Sequence, residues 1–306
     1  MTGRLTRSDR PGQTVSNWSY QFTSPCAEPL PLDALPEMTF LALFVLAMTG
    51  TGLLGGVLAG MLGVGGGIVI VPVLFHLLGL LGVAEGQRMH VAVATSLATI
   101  VATSVSSARA HSRRGSVDWT LLKSLLVSVL IGVAVGTAFA TYVKGPVLSA
   151  IFGAVALIVA ANMALRREGF SLVAEVPKGL LRQVFGFIIG GFSSMMGIGG
   201  GTLAVPLLSL CSYPIRNAVG TSSALGLVIA VPATAGFIYG GWQGIDLPPF
   251  SLGYVNVLGF LLIAPATVLT APWGARIAHS INVNYLRKAF ALFLIITGIR
   301  MIVSLF

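Results

Sequence analysis

Two runs of glycine stand where a backbone could bind an anion. Gly63, Gly65, Gly66 and Gly67 precede Ile68 and then Pro72; Gly197, Gly199, Gly200 and Gly201 precede Thr202 and then, at the same spacing, Pro206. Four glycines in five positions break a helix. Broken backbone at membrane depth persists only where protein or a wet cavity satisfies its N–H and C=O groups. A helix restarting near Ile68 or Thr202 would aim unpaired N–H groups, and the positive end of its dipole, at a bound anion. The same glycines would also suit helices that merely cross closely. They do not form a nucleotide loop, because neither run continues into Lys-Ser or Lys-Thr.

Hydroxyls recur downstream of each run: Thr95 and Ser96 after the first, Thr221 and Ser222 after the second. A hydroxyl can donate to an oxyanion without bringing a charge into the bilayer, although it can equally bond the carbonyl one turn back. His90 and Arg216 precede these hydroxyls at matched places. A cation at each mouth would attract an anion from either side; snorkelling at the interface is the plainer role. The acidic residues are confined to the N-terminal segment and to the ends of apolar spans. Cation carriers need a carboxylate deep in the membrane, so the expected substrate is a small anion.

These residues must be carried by a membrane scaffold. Hydrophobic residues make up 55% of the 306 and charged residues 9%, which excludes an ordinary soluble domain. The formal charge of +9 is scattered in short clusters between apolar runs, the pattern of cytoplasmic loops and not of a nucleic-acid surface. Two cysteines, Cys26 and Cys211, make neither a disulfide framework nor a metal site. No metal or cofactor is expected, and no catalytic set of paired acids or Ser/His lies within the spans, so an enzyme is not expected. The expected partners are a small anionic substrate and the lipid bilayer. Residues 1–37 are polar, lack an apolar core and are assigned no fold.

The chain also repeats itself. Residues 63–74 match 197–208 without a gap, Ala92–Ser96 match Ala218–Ser222, and the last spans align with Phe152 over Phe290 and Met163 over Met301. Gly115 and Asp118 are paired with Gly244 and Asp246. Preserved order indicates duplication, with one repeat over 38–168 and the second over 169–306. Ten apolar spans are expected, near 39–62, 68–84, 89–108, 119–142, 146–165, 180–196, 202–213, 216–239, 251–274 and 284–306. Five per copy is an odd number, which turns the second copy upside down. The expected fold is therefore an all-α polytopic membrane protein of two inverted repeats with broken or half helices at the glycine runs. The short 202–213 span could be a half-helix, and eight crossings plus two half-helices would keep the inversion. Lys and Arg concentrate on the face holding Arg109, Arg113, Arg114, Arg166, Arg167 and Arg182, which places that face in the cytoplasm.

The doubled glycine-run-to-Val-Pro segment, the Ala/Gly-Thr-Ser helix after it and the final aromatic and methionine helix together resemble the TauE/SafE family of sulfite and organosulfonate exporters. This family is also called the 4-toluene sulfonate uptake permease family. The likeness covers residues 39–306. It implies a multi-pass inner-membrane permease for sulfur-containing anions, with Gly63 to Pro72 and Gly197 to Pro206 as the matching signature segments. His111 has no histidine at its counterpart near Tyr239, and the polar N-terminal segment lies outside the pattern. Alternating access of one bundle against its inverted twin would be the mechanism. With no ATP-binding sequence, the membrane potential or a proton gradient would drive it; an inside-negative potential of ~100 mV favours expulsion of a monovalent anion by about 2.3 kcal/mol.

Overall fold

Apolar stretches separated by glycine turns and caps give ten helices among the residues described by the computed structural model: 37–62, 66–165, 177–242, 244, 247–277 and 283–304. They are α1 (Glu37–Leu62), α2 (Gly67–Leu80), α3 (Glu85–Arg113), α4 (Trp119–Tyr142), α5 (Gly145–Leu165), α6 (Leu180–Met196), α7 (Gly201–Leu210), α8 (Ile215–Gly240), α9 (Val257–Ile277) and α10 (Val283–Val303). A short hairpin, β1 (Ser251–Leu252) with β2 (Val255–Asn256), precedes α9. The expected all-α membrane architecture is what forms. The ninth apolar span starts later than the sequence suggests, because residues 251–256 turn as this hairpin before α9 begins. Glu37 already belongs to α1; the rest of the polar N-terminal segment lies outside the described residues.

Among the described residues six helices are long and apolar enough to cross a membrane: α1, α3, α4, α5, α8 and α9. Ten full crossings are not reached. At 1.5 Å per residue α2, with 14 residues, extends ~21 Å and α7, with ten, ~15 Å. Both fall short of the ~30 Å hydrocarbon layer. They are half-helices opening at the two glycine runs, and each runs through its proline, Pro72 or Pro206, without ending there.

The helix register repeats closely. α2 and α7 start at residues 67 and 201, α4 and α9 at 119 and 257, and α5 and α10 occupy 145–165 and 283–303. Packing follows the same exchange. α1 packs on α9 as α6 packs on α4; α3 on α9 as α8 on α4; α2 on α3 as α7 on α8. The remaining principal pairs, α3 with α8 and α5 with α10, join equivalent helices. In α3, 72% of the membrane window is buried, and in α8 56%, against 39–44% in the other crossing helices. These two helices therefore form the centre, and the hydroxyls they carry are inside the protein.

In lipid, apolar burial cannot drive helices together, so close van der Waals approach must. α1 presents Gly52 and Gly56 to α9, and α6 presents Gly186 and Gly190 to α4 at the same four-residue spacing. A Cβ on Gly56 would strike the backbone of Thr267; one on Gly190 would strike the backbone of Val129. Both obstacles are main chain and cannot rotate away. Gly56→Val and Gly190→Val should each lower stability by ~1–3 kcal/mol, the usual cost of overpacking, in thermal unfolding of the detergent-solubilised protein. A loss at one position only would argue against equivalent packing.

Candidate functional site

The two glycine elbows meet at the centre. α6 ends on Gly197, whose φ of +65° is the left-handed cap that glycine adopts without strain. α2 starts at Gly67, directly behind Gly66 at φ +75°. A Cβ on Gly67 would run into the Gly197 carbonyl oxygen, with Ile100 Cδ1 at 2.8 Å and Ser96 Oγ at 2.9 Å. Ser96 Oγ donates to that same carbonyl at 2.7 Å. Helix α3 is thus tied to the second elbow through one hydroxyl, beside Gly67 of the first. Gly63 and Gly65 lie outside the described residues; Gly66, Gly67 and Ile68 in the first elbow, and Gly199, Gly200, Gly201 and Thr202 in the second, are all buried.

The second elbow carries polar groups with nothing to bind. Ser193 Oγ, in the last turn of α6, and Thr202 Oγ1, in the first turn of α7, are buried without a hydrogen-bond partner. Their counterparts in the first half, Ala59 and Ile68, are apolar. Leaving a hydroxyl unpaired inside a protein costs about 1–3 kcal/mol, and these two stand on either side of the break between α6 and α7. Ser104 on α3 approaches the same elbow: a Cβ on Gly226 would have Ser104 Oγ at 2.8 Å and Gly200 N at 3.9 Å. Further along α3, Thr103 Oγ1 lies 2.9 Å from Thr99 O and 3.0 Å from Thr267 Oγ1. The residues of α8 that match Thr99, Thr103 and Ser104 are Leu225, Ile229 and Ala230. The polar lining is therefore lopsided, contributed by α3 and the second elbow.

Thr95 and Thr221 do something the sequence does not announce. Thr95 Oγ1 accepts the N–H of Asn256 at 2.9 Å, and Thr221 Oγ1 accepts the N–H of Asp118 at 2.9 Å. Asp118 caps α4, its Oδ1 accepting from Thr120 N and Leu121 N; Asn256 precedes α9, its Oδ1 accepting from Gly259 N. Each half's threonine thus anchors a helix start of the other half. Among the described residues another side chain stands where Asp118 stands in the first half. Asn256 has the equivalent role, and Gly253, with φ +55°, matches Gly115, with φ +66°; Asp246 itself lies outside the described residues. Thr95→Val should strand Asn256 N–H, and Thr221→Val should strand Asp118 N–H, each costing ~1–3 kcal/mol. Serine at either position should restore most of that stability in thermal unfolding. Ser222 is buried beside Thr221 and bonds Val219 O at 3.0 Å.

The expected cations differ in setting. Arg216 is exposed in the first turn of α8, whereas His90 is buried, its ring stacked on Tyr254 with centroids 5.0 Å apart. Near the Arg216 end, Tyr213 Oη donates to Asp118 Oδ2 at 2.7 Å. The Leu121 N–H, and next the Tyr213 hydroxyl, hold the Asp118 carboxyl below its ordinary range, while burial and that carboxylate push the Tyr213 phenol up. A carboxyl depressed on folding stabilises above its unfolded value, and the benefit is lost as pH falls through the lower folded value. Asp118→Asn should therefore flatten the loss of thermal stability below about pH 4. An unchanged acid limb would mean the carboxylate contributes nothing.

The sulfite exporter TauE/SafE family model matches residues 48–301, which contain both elbows and all four of these anchoring residues. The chain belongs to the TauE/SafE family. It is 34% identical over 258 residues to a probable membrane transporter protein of Haemophilus influenzae, covering 84% of this chain and 98% of that protein. It is 24% identical over 267 residues to a probable membrane transporter protein of Methanocaldococcus jannaschii, covering 87% and 98%. No solved structure matches it. A TauE/SafE chain with six long apolar helices is a multi-pass membrane protein of a transporter family and not an enzyme.

Proposed function

We propose that the chain is a secondary transporter of small sulfur oxyanions and organosulfonates in the inner membrane, working by alternating access around the two elbows. The observation that carries this reading is the pair of buried, unpartnered hydroxyls Ser193 and Thr202 at a helix break that touches its counterpart. A sulfonate spreads one negative charge over three oxygens, which suits several N–H and O–H donors better than one fixed cation. The N-termini of α2 and α7 open at the elbows and supply such N–H groups with favourable dipoles. Among the described residues every carboxylate stands at or outside a helix end: Glu37, Glu85 and Asp118. An anion there meets no fixed negative charge.

Inversion of the two halves is favoured by the exchange of helix pairs and by five helices in each half. The first half would run over 38–168 and the second over 169–306. Rocking one half against the other would alternately expose the shared elbows. The family name supports sulfite as cargo, and the relatives' names support membrane transport in general.

A thermal-shift screen of the purified protein against sulfite, isethionate, sulfoacetate, sulfate and dicarboxylates tests the substrate class, because a ligand that binds only the folded state raises its unfolding temperature in proportion to ln(1 + [L]/Kd). Stabilisation by sulfite or a sulfonate is expected. Stabilisation by a dicarboxylate, with none from any sulfur anion, would replace that class with carboxylates.

A further inference from the structure

Arg182 stands where the first half of the chain has Met48, at the same offset that matches Gly186 with Gly52 and Gly190 with Gly56. Met48 is buried; Arg182 is half-buried, and its Nε donates to Pro177 O at 2.9 Å, which holds the guanidinium at the start of α6. Beside it lies a crevice between α4, α6 and α7, lined by Leu125, Phe185, Ile189, Leu207, Leu208 and Cys211 together with Pro177. Apart from the guanidinium, the lining is apolar. Next to it α6 also leaves Leu181, Val184 and Ile188 exposed.

The repeat shows that this chemistry belongs to the second half. Phe185 and Ile189 replace Thr51 and Gly55, so the walls are more apolar than at the matching place in the first half, while Arg182 in place of Met48 makes the rim charged. Cys211 is also shorter than its counterpart, Leu77. A cation at the rim of an apolar slot suits a phospholipid, whose phosphate stands at the interface and whose chains point inward. The surroundings have the complementary sign. Gln183 Nε2 donates to Ser124 O at 3.2 Å, which brings the first turn of α6 beside the exposed Lys123 of α4. The carboxylate of Asp118, at the start of α4, is already engaged by the N–H groups of Thr120 and Leu121 and by the Tyr213 hydroxyl. With Nε on Pro177, the two terminal nitrogens of Arg182 are left for a phosphate, which a guanidinium grips through paired N–H···O bonds.

We infer that this crevice is a binding site for an anionic phospholipid, with the phosphate on Arg182 and a stretch of acyl chain against Phe185, Ile189 and Leu207. The inference stands apart from the transport reading above. It bears on the same element, because α7 has only ten residues and runs from the second elbow to the crevice. A seated lipid therefore steadies the half-helix that opens at Gly201.

The test uses full-length protein, stripped of native lipid in detergent and titrated with phosphatidylglycerol, with phosphatidylcholine of the same chains, or with inorganic phosphate. Phosphatidylglycerol should raise the unfolding temperature at lower concentration than phosphatidylcholine, and inorganic phosphate should leave it unchanged. Arg182→Gln should weaken the phosphatidylglycerol effect roughly tenfold, the worth of one charge-assisted contact. Arg182→Lys should keep part of the effect. Lys144→Gln, an exposed position just past the other end of α4, should keep all of it. Equal stabilisation by the two lipids, stabilisation by phosphate alone, or an undiminished effect in Arg182→Gln would overturn the proposal. If Arg182→Gln does not fold, the wild type decides: phosphatidylglycerol with a diazirine midway along one chain is photo-crosslinked to the protein and the labelled peptides are mapped by mass spectrometry. Label is expected on residues 185–189 and 207–211, which line the crevice. Label confined to other helices, with none on these two stretches, would overturn the assignment.

Discussion

Thr202→Val should leave thermal stability unchanged or raise it, while weakening sulfite or sulfonate binding roughly tenfold to a hundredfold. The two side chains have nearly the same shape, and the hydroxyl they exchange is buried without a partner in the ligand-free protein. Removing an unsatisfied buried group takes away a cost of about 1–3 kcal/mol. With an anion bound, the same hydroxyl would donate to a charged oxygen, and such bonds contribute about 1.5–3 kcal/mol. Opposite signs for stability and affinity separate a ligand contact from a packing role. Ser193→Ala should behave the same way, and Thr202→Ser should keep most of the affinity. The readouts are the unfolding temperature without ligand and the anion concentration needed to shift it. A loss of stability with unaltered affinity would make Thr202 a structural residue.

Gly67→Ala should lower both stability and transport. The added carbon would meet the Gly197 carbonyl as well as Ile100 Cδ1 and Ser96 Oγ. Two of these obstacles are side-chain ends that can move; the third is the backbone of the other elbow, already bound by Ser96. Relief therefore requires the elbows to separate, at a cost of ~1–3 kcal/mol of stability and with loss of the shared site. Transport in liposomes should fall by an order of magnitude or more. Combining Gly67→Ala with Ile100→Val should recover part of the stability but little of the transport, because the carbonyl clash remains. Full recovery of transport would mean that contact between the elbows is not needed.

Much of the scaffold can be read from residue order. The starts of α2 and α7, α4 and α9, and α5 and α10 follow the repeat closely, because glycine runs, caps and apolar length are local properties of the chain. The contact between the elbows also follows from pattern, since equivalent broken backbone in two halves has to find partners. Other features need three dimensions. The equivalence of Asp118 and Asn256 is one of these, because the segment between α8 and α9 turns as a hairpin and spacing alone does not reveal where Asn256 is brought. Thr95 and Thr221 have hydroxyls able to donate to an anion, and their oxygens also accept backbone N–H groups from the other half, a role that residue type alone does not announce. Ser193 and Ser104 carry no repeat signal, because they stand where the other half has Ala59 and Ala230. The burial of His90 among three carbonyls is likewise invisible in a one-dimensional pattern.

The account turns on an anion resting between the two elbows. Selenite has the shape and charge of sulfite and carries an atom whose anomalous scattering locates it directly. In crystals grown with selenite, the selenium should appear beside Gly67, Gly201 and Thr202, with oxygens at roughly 2.7–3.2 Å from their donors. Selenium on the protein surface or at the lipid face, with the elbows empty, would contradict the central claim.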